Sequence, residues 1–316
     1  MGDALANKTT AVCILGMHRS GTSSVTRAVS LLGFYLGSEA KLMGPGVDNP
    51  EKFWEHTEIC GLQERLLQQL NRRWDTPLPL PEGWQQTEMV RPFREELKQL
   101  VASDFAEHPS WAWKDPRSCL LMPLWRDILA ELQVDLRCVF VVRSPVEVTN
   151  SLAKRDPISV NHAMGVWFNY CITALKDTID VPTAFLSYDR FIASSEAELR
   201  RCADILNLDW PDDEETLHES MQAFIRPELR HNRSTQADLT EVPPPARKLY
   251  KTLAAACTQA APQGSRFERE IGELAADFHA YAGFFEDHWQ DPTRPSPINR
   301  KLSRWKKSFR KRFSVN

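Results

Sequence analysis

The 316-residue chain has no C-x-x-C pair, and its seven cysteines, at 13, 60, 119, 138, 171, 202 and 257, are scattered and odd in number. That excludes a disulfide framework and a cysteine-built zinc, and leads to the expectation of reduced thiols in a cytoplasm. No apolar run reaches the ~18 residues of a membrane-spanning helix. The opening MGDALANKTT lacks the basic-then-apolar pattern of a secretory leader. There is no HExxH and no clustered acidic ligand set, and the eight histidines are dispersed, so no metal is expected. What is present is ordinary for a globular protein: 42% hydrophobic and 26% charged residues. Disorder, collagen and coiled coil are excluded as the main body.

The formal charge of −3 hides an asymmetry. Residues 298–316 hold eight basic residues and no acidic one, which leaves 31 basic against 42 acidic residues elsewhere. An acidic body does not suit a nucleic-acid partner. In the tail, Leu302, Trp305, Phe309 and Phe313 form one apolar stripe of a helix inside a cationic face. This is the pattern of an interfacial helix at an anionic membrane, and equally that of a solvated tail or one that docks on the acidic body.

Hydrophobic periodicity predicts a parallel α/β fold. Strands are expected at 11–15, 111–113, 136–142 and 183–188. Helices are expected from Thr22 to a stop at Gly33, then over 59–70, 88–107, 120–132, 160–179 and 191–207. Ser144-Pro145-Val146-Glu147 reads as a capping box with proline at the first helical position. Beyond 210 only helix and loop are expected, with a break at Val242-Pro243-Pro244-Pro245. The expected organisation is a P-loop-type central parallel sheet flanked by helices, to about residue 210, and a helical portion over 211–290. A proline-rich linker and basic tail follow over 291–316.

The most informative stretch is Gly16-Met17-His18-Arg19-Ser20-Gly21-Thr22-Ser23, between the first strand and the first helix. It has the frame of the nucleotide P-loop, whose N–H groups and helix N-terminus cradle an anion. The lysine of that motif, which reaches the β- and γ-phosphates, is replaced by Thr22. Arg19 is the one strong charge, with hydroxyls at Ser20, Thr22, Ser23 and Ser24. A sulfate ester joined to a phosphate suits such a loop better than a triphosphate with magnesium.

These residues resemble the sulfotransferases that use 3′-phosphoadenosine 5′-phosphosulfate, in separated blocks spread over residues 11–191. The loop block is Arg19-Ser20-Gly21-Thr22-Ser23. The second block is Arg143 at a strand end and Ser151 eight residues on, which the resemblance assigns to the 3′-phosphate of the donor. An arginine fork and a hydroxyl two turns into the next helix can converge on one phosphate, and Arg155, one turn further, adds charge on the same face. Trp113-Lys114-Asp115-Pro116 is similar to a third block, in which Lys114 donates to the transferred group, Asp115 orients the loop and Pro116 opens the next helix. Tyr188 matches a position near the adenine.

The resemblance implies metal-independent, in-line transfer to an acceptor hydroxyl. The segment 48–58, with Asn49-Pro50 and Phe53-Trp54-Glu55-His56, is similar to the bacterial, glutamate-type branch acting on carbohydrates more than to the branch acting on small phenols. The expected acceptor is therefore a carbohydrate or glycolipid. Glu55 is the first candidate base, His56 the second and Glu58 the third; an imidazole needs no tuning for that role. A carboxylate in a loop before a helix is also an ordinary first-turn charge. Trp54 and Trp84 are candidate sugar platforms, and equally core residues. The Arg-Lys-Gly that closes over the 3′-phosphate in the small-phenol branch is missing. Arg226, Arg230, Arg233 and Arg247-Lys248 are available in its place. Two other classes remain open: a P-loop kinase of a small molecule, and a non-catalytic membrane-docked adapter on the same scaffold. The expected location is cytoplasmic, peripheral at the inner membrane face through 298–316.

Overall fold

The computed structural model describes residues 9–46, 52–225, 238–259 and 264–286. The linker, the basic tail and Arg226, Arg230 and Arg233 lie outside the described residues. The elements, in order, are β1 (Thr10–Leu15), α1 (Thr22–Leu31), α2 (Thr57–Gln69), α3 (Arg91–Asp104), β2 (Ser110–Trp113), α4 (Ser118–Glu131), β3 (Asp135–Val142), α5 (Pro145–Arg155), α6 (Val160–Asp177), β4 (Thr183–Ser187), α7 (Tyr188–Ala193), α8 (Ser195–Leu206), α9 (Glu214–Phe224), α10 (Pro244–Ala256) and α11 (Ser265–Glu286). The chain divides into two compact units, Met1–Ala276 and Asp277–Asn316, and the sheet and every candidate site residue belong to the first.

The four strands form one parallel sheet in the order β2-β1-β3-β4. Its register is set by pairs such as Cys13 with Cys138 and Val142 with Ser187. Continuous apolar runs form these strands because both faces are covered. On one face Val12, Ile14, Ala112, Val139, Val141, Ala184 and Leu186 pack with apolar residues of α1, α8 and α9. Alternate residues supply the opposite face, where Phe140 stacks on Phe185 and Trp113 on Trp125 of α4. The chain leaves β1 for β2 on one side, then crosses to β3 on the other. The strand order therefore reverses between β1 and β3, and ligands of open α/β sheets bind outside the strand ends at such a point. The 16–21 loop and Arg143 both start there.

Four expectations need correction. The helix expected over 191–207 is two helices, because Ser194 (φ −155°, ψ 73°) leaves the helical region. Tyr188 does not end β4; it opens α7, capped by Ser187, whose hydroxyl accepts from Arg190 N at 3.4 Å. Pro116 does not start α4, since Asp115 to Ser118 close a turn first (Ser118 N to Asp115 O, 2.9 Å). Ser144 does precede α5 with Pro145 in its first turn, but its side chain makes no cap hydrogen bond, and Glu147 faces Arg143.

Candidate active site

The loop after β1 takes left-handed backbone at three of its six residues. Gly16 (φ 144°), Arg19 (φ 69°) and Gly21 (φ 90°) all take positive φ. Left-handed residues interleaved with right-handed ones before a helix N-terminus are the backbone pattern from which anion nests are built. For Arg19 the left-handed geometry costs on the order of 1 kcal/mol. Its neighbours over-determine it: Ser20 N donates to Met17 O at 3.1 Å, and Arg143 Nη1 donates to the Arg19 carbonyl at 2.9 Å. Gly16 N donates to Cys119 Sγ at 3.3 Å, so a buried thiol of α4 holds the entry to the loop. Burial pushes that thiol up to about 12. Gly21 has a steric reason as well: a Cβ there would lie 2.1 Å from the Tyr188 ring.

The two expected phosphate blocks meet. Arg19 Nε donates to Ser151 Oγ at 2.9 Å, across 132 residues of sequence. Arg143 reaches the loop carbonyl, pairs with Glu147 at 3.0 Å and lies 4.6 Å over the Tyr188 ring. Ser20 and Thr22 are buried, and Ser23 and Ser24 are half-buried in the first turn of α1. Arg155, one turn beyond Ser151, pairs with Asp156 at 2.7 Å and stands 5.3 Å over Trp74.

Lys114 enters the same cleft from the end of β2. It is buried, ion-paired with Glu55 and within 3.3 Å of Ser23 Oγ. Cys60 Sγ donates to the other Glu55 oxygen at 3.4 Å. Behind it Asp115 is fully buried and accepts from Gln63 Nε2 (2.7 Å), Arg117 N (3.0 Å) and Arg117 Nη1 (2.9 Å). Gln63 Oε1 in turn accepts from Ser118 Oγ and Trp125 Nε1 at 3.1 and 3.0 Å. Every polar atom of this buried set is answered, which fixes where Lys114 stands. Glu55, Cys60 and Asp115 also bring their ligand atoms within 4.8 Å of one another, but the carboxylates already face Lys114 and Arg117.

The three candidate bases separate. Glu55 turns to Lys114. His56 Nε2 faces Asp104 Oδ2 at 3.1 Å, while its Nδ1 is buried without a partner. Burial holds that imidazole below its ordinary value, against the opposing pull of Asp104. Glu58 is exposed and pairs with Lys41 at 3.2 Å. Trp84 is buried in the core, and Trp54 carries Arg27 and Lys52 over its ring at 4.8 and 4.7 Å. Arg247 donates to Thr240 O at 3.0 Å and Lys248 pairs with Glu273 at 3.7 Å, both on α10.

Sequence reasoning missed His18, Gln63 and Glu147. Gln63 had a signal, as the one polar residue on the apolar stripe of Ile59, Leu62, Leu66 and Leu67. His18 had none, since a loop has no period. Its ring stands edge-on to Trp74 (5.1 Å) and Tyr170 (6.0 Å), and its Nε2 is buried with no hydrogen-bond partner. Burial first, then the charges of Arg117, Arg155, Lys114 and Arg19, hold the imidazole well below its ordinary value.

Fold and loop together define an α/β protein with a four-stranded parallel sheet, at whose strand-order reversal Arg19 and Arg143 meet. Neither a protein-family model nor a curated protein sequence matches the chain. Among solved structures it is similar to the sulfotransferase domain of the olefin synthase of Synechococcus PCC 7002, with a TM-score of 0.41 and 17% identity over 86% of this chain and 95% of that one. It is similar also to the sulfotransferase domain of the curacin biosynthetic pathway, with a TM-score of 0.38 and 14% identity over 84% and 98%. Likeness of this degree says nothing about chemistry, which rests on the residues themselves.

Proposed function

We propose that the protein transfers the sulfuryl group of 3′-phosphoadenosine 5′-phosphosulfate to a hydroxyl of a carbohydrate or glycolipid. The observation that carries this reading is the contact chain from Arg143 through Arg19 to Ser151, which joins the two blocks that the donor's two ends require. The donor supplies an activated sulfuryl group. The 16–21 loop, Ser23, Ser24 and Arg19 hold its 5′ end, and Arg143, Ser151 and Arg155 its 3′-phosphate. Tyr188, lying against Gly21, flanks the nucleoside.

Lys114 and Arg19 supply the positive field in which charge builds on the leaving phosphate, so this chemistry asks for no metal. Glu55 is the base. The ammonium it pairs with is drawn toward the leaving oxygen as that oxygen gains charge, and the released carboxylate accepts the acceptor's proton. His56, engaged with Asp104, holds the start of α2 next to Glu55 in this reading. The test is transfer from 35S-labelled donor to an oligosaccharide mixture in EDTA. Transfer without added metal is expected. Strict Mg²⁺ dependence, or turnover of ATP instead, contradicts the reading and favours a kinase.

A further inference from the structure

Two histidine nitrogens near this site, His18 Nε2 and His56 Nδ1, are buried without a partner among the described residues, and of the two His18 belongs to the loop after β1. It sits inside the anion loop, one residue before Arg19. Trp74, against whose ring the imidazole stands edge-on, carries Arg155 over its own ring. Lys114 and Arg117 enter from the turn after β2, and Tyr170 of α6 closes the remaining side. Several of these cations have counter-charges of their own. Arg117 pairs with Asp115 and Glu64, Lys114 with Glu55, and Arg155 with Asp156. A buried imidazole nitrogen left unanswered among cations is costly in either tautomer. An anion in the loop removes the cost, because it offers an acceptor and offsets the cations at once.

We propose that His18 is a proton-coupled contact of the anion loop: it is neutral in the free protein, and it takes up a proton when a di-anionic group enters, with Nε2–H then donating to that group. The proposal concerns the site read above as the donor's 5′ end, but it needs only an anion in the loop. Its consequence follows from linkage. A group whose proton affinity is higher in the complex makes binding tighter as pH falls, and the gain disappears as pH rises through the complex's own midpoint. In the window between the free and bound midpoints the affinity changes by up to about tenfold per pH unit.

The test is calorimetric titration of the full chain with adenosine 3′,5′-bisphosphate, in buffers of different ionisation enthalpy, for the natural protein and His18→Gln. The phosphates of the probe titrate in both proteins, so the difference between them isolates His18. The natural protein is expected to take up more protons on binding than the variant, and its affinity advantage should grow as pH falls from 8 to 6. Equal uptake, with equal pH dependence, overturns the proposal. Imidazole 15N shifts of His18 in the unsubstituted protein give a second measurement that needs no variant. Its midpoint should rise on adding the bisphosphate or inorganic sulfate, and an unmoved midpoint in a saturated complex overturns the proposal. If sulfate moves the midpoint and the bisphosphate does not bind, the His18 assignment stands and the donor reading falls. Binding of neither overturns both.

Discussion

Lys114 and Glu55 neutralise each other in a place from which water is excluded. Removing one partner strands the other, which typically costs about 3 kcal/mol. Lys114→Ala should therefore lose that order of stability in urea unfolding, and on the proposed function about 10²-fold or more in sulfuryl transfer. Adding Glu55→Gln should restore most of the stability and none of the activity. Gly21 offers a cleaner separation. Gly21 and Gly33 share a positive φ, at 90° and 94°, but only a Cβ at Gly21 meets a ring, while nothing lies within 4 Å of one at Gly33. Gly33→Ala should be mildly destabilised in thermal melts and Gly21→Ala more strongly, and only Gly21→Ala should lose bisphosphate binding. His18 and His56 give a pH signature. Each is held below its ordinary value chiefly by burial, so the folded state binds fewer protons than the unfolded chain. Their contribution to stability is complete above about pH 6.5 and is lost as pH falls below it, by at most about 1.4 kcal/mol per pH unit for each group. Urea midpoints at pH 7.5 and 5.5 should show the loss, and His56→Gln should reduce its slope.

At the scale of elements, Gln63 joins α2 to α4 and to the turn that carries Lys114. Gln63→Leu takes a hydrogen bond away from Trp125 Nε1, Ser118 Oγ and an Asp115 oxygen in the core, at a cost of about 3 kcal/mol, read in urea unfolding. The strands and most helices were legible in the sequence because burial on both faces leaves an unbroken apolar run, as in 136–142, and burial on one leaves a stripe, as in α2. The Arg19 loop was legible for a different reason, since glycine positions and a strand–loop–helix context constrain the backbone directly. What was not legible depends on partners distant in sequence. Glu147 matches a capping residue by spacing, yet Arg143 lies within 3.0 Å and takes it. Ser194-Ser195 with Glu198 is a helix-start signal inside 191–207, which the apolar positions on either side conceal. Glu55, His56 and Glu58 differ by a rotation about the chain, which only the positions of Lys114 and Asp104 decide.

For the whole molecule, two arginines and a serine drawn from the turn after β3, α5 and the loop after β1 meet at the reversal of strand order, whereas the basic charge of 298–316 lies outside the described residues. On the interfacial-helix reading of its sequence, that segment directs the full chain to anionic vesicles, and on the solvated or docked reading it does not. Sedimentation with phosphatidylserine-containing liposomes is expected to fall on truncation at residue 297, and equal pelleting removes the membrane role. The central claim is that one adenosine bisphosphate spans the loop and Arg143. Its most direct measurement compares the affinities of adenosine 3′,5′-bisphosphate and 5′-AMP for the natural protein and for Arg143→Ala. A charge-assisted contact to the 3′-phosphate should favour the bisphosphate by about tenfold or more, and Arg143→Ala should erase most of that preference. Equal affinity for the two nucleotides in the natural protein, or a preference unchanged by the substitution, would contradict the account.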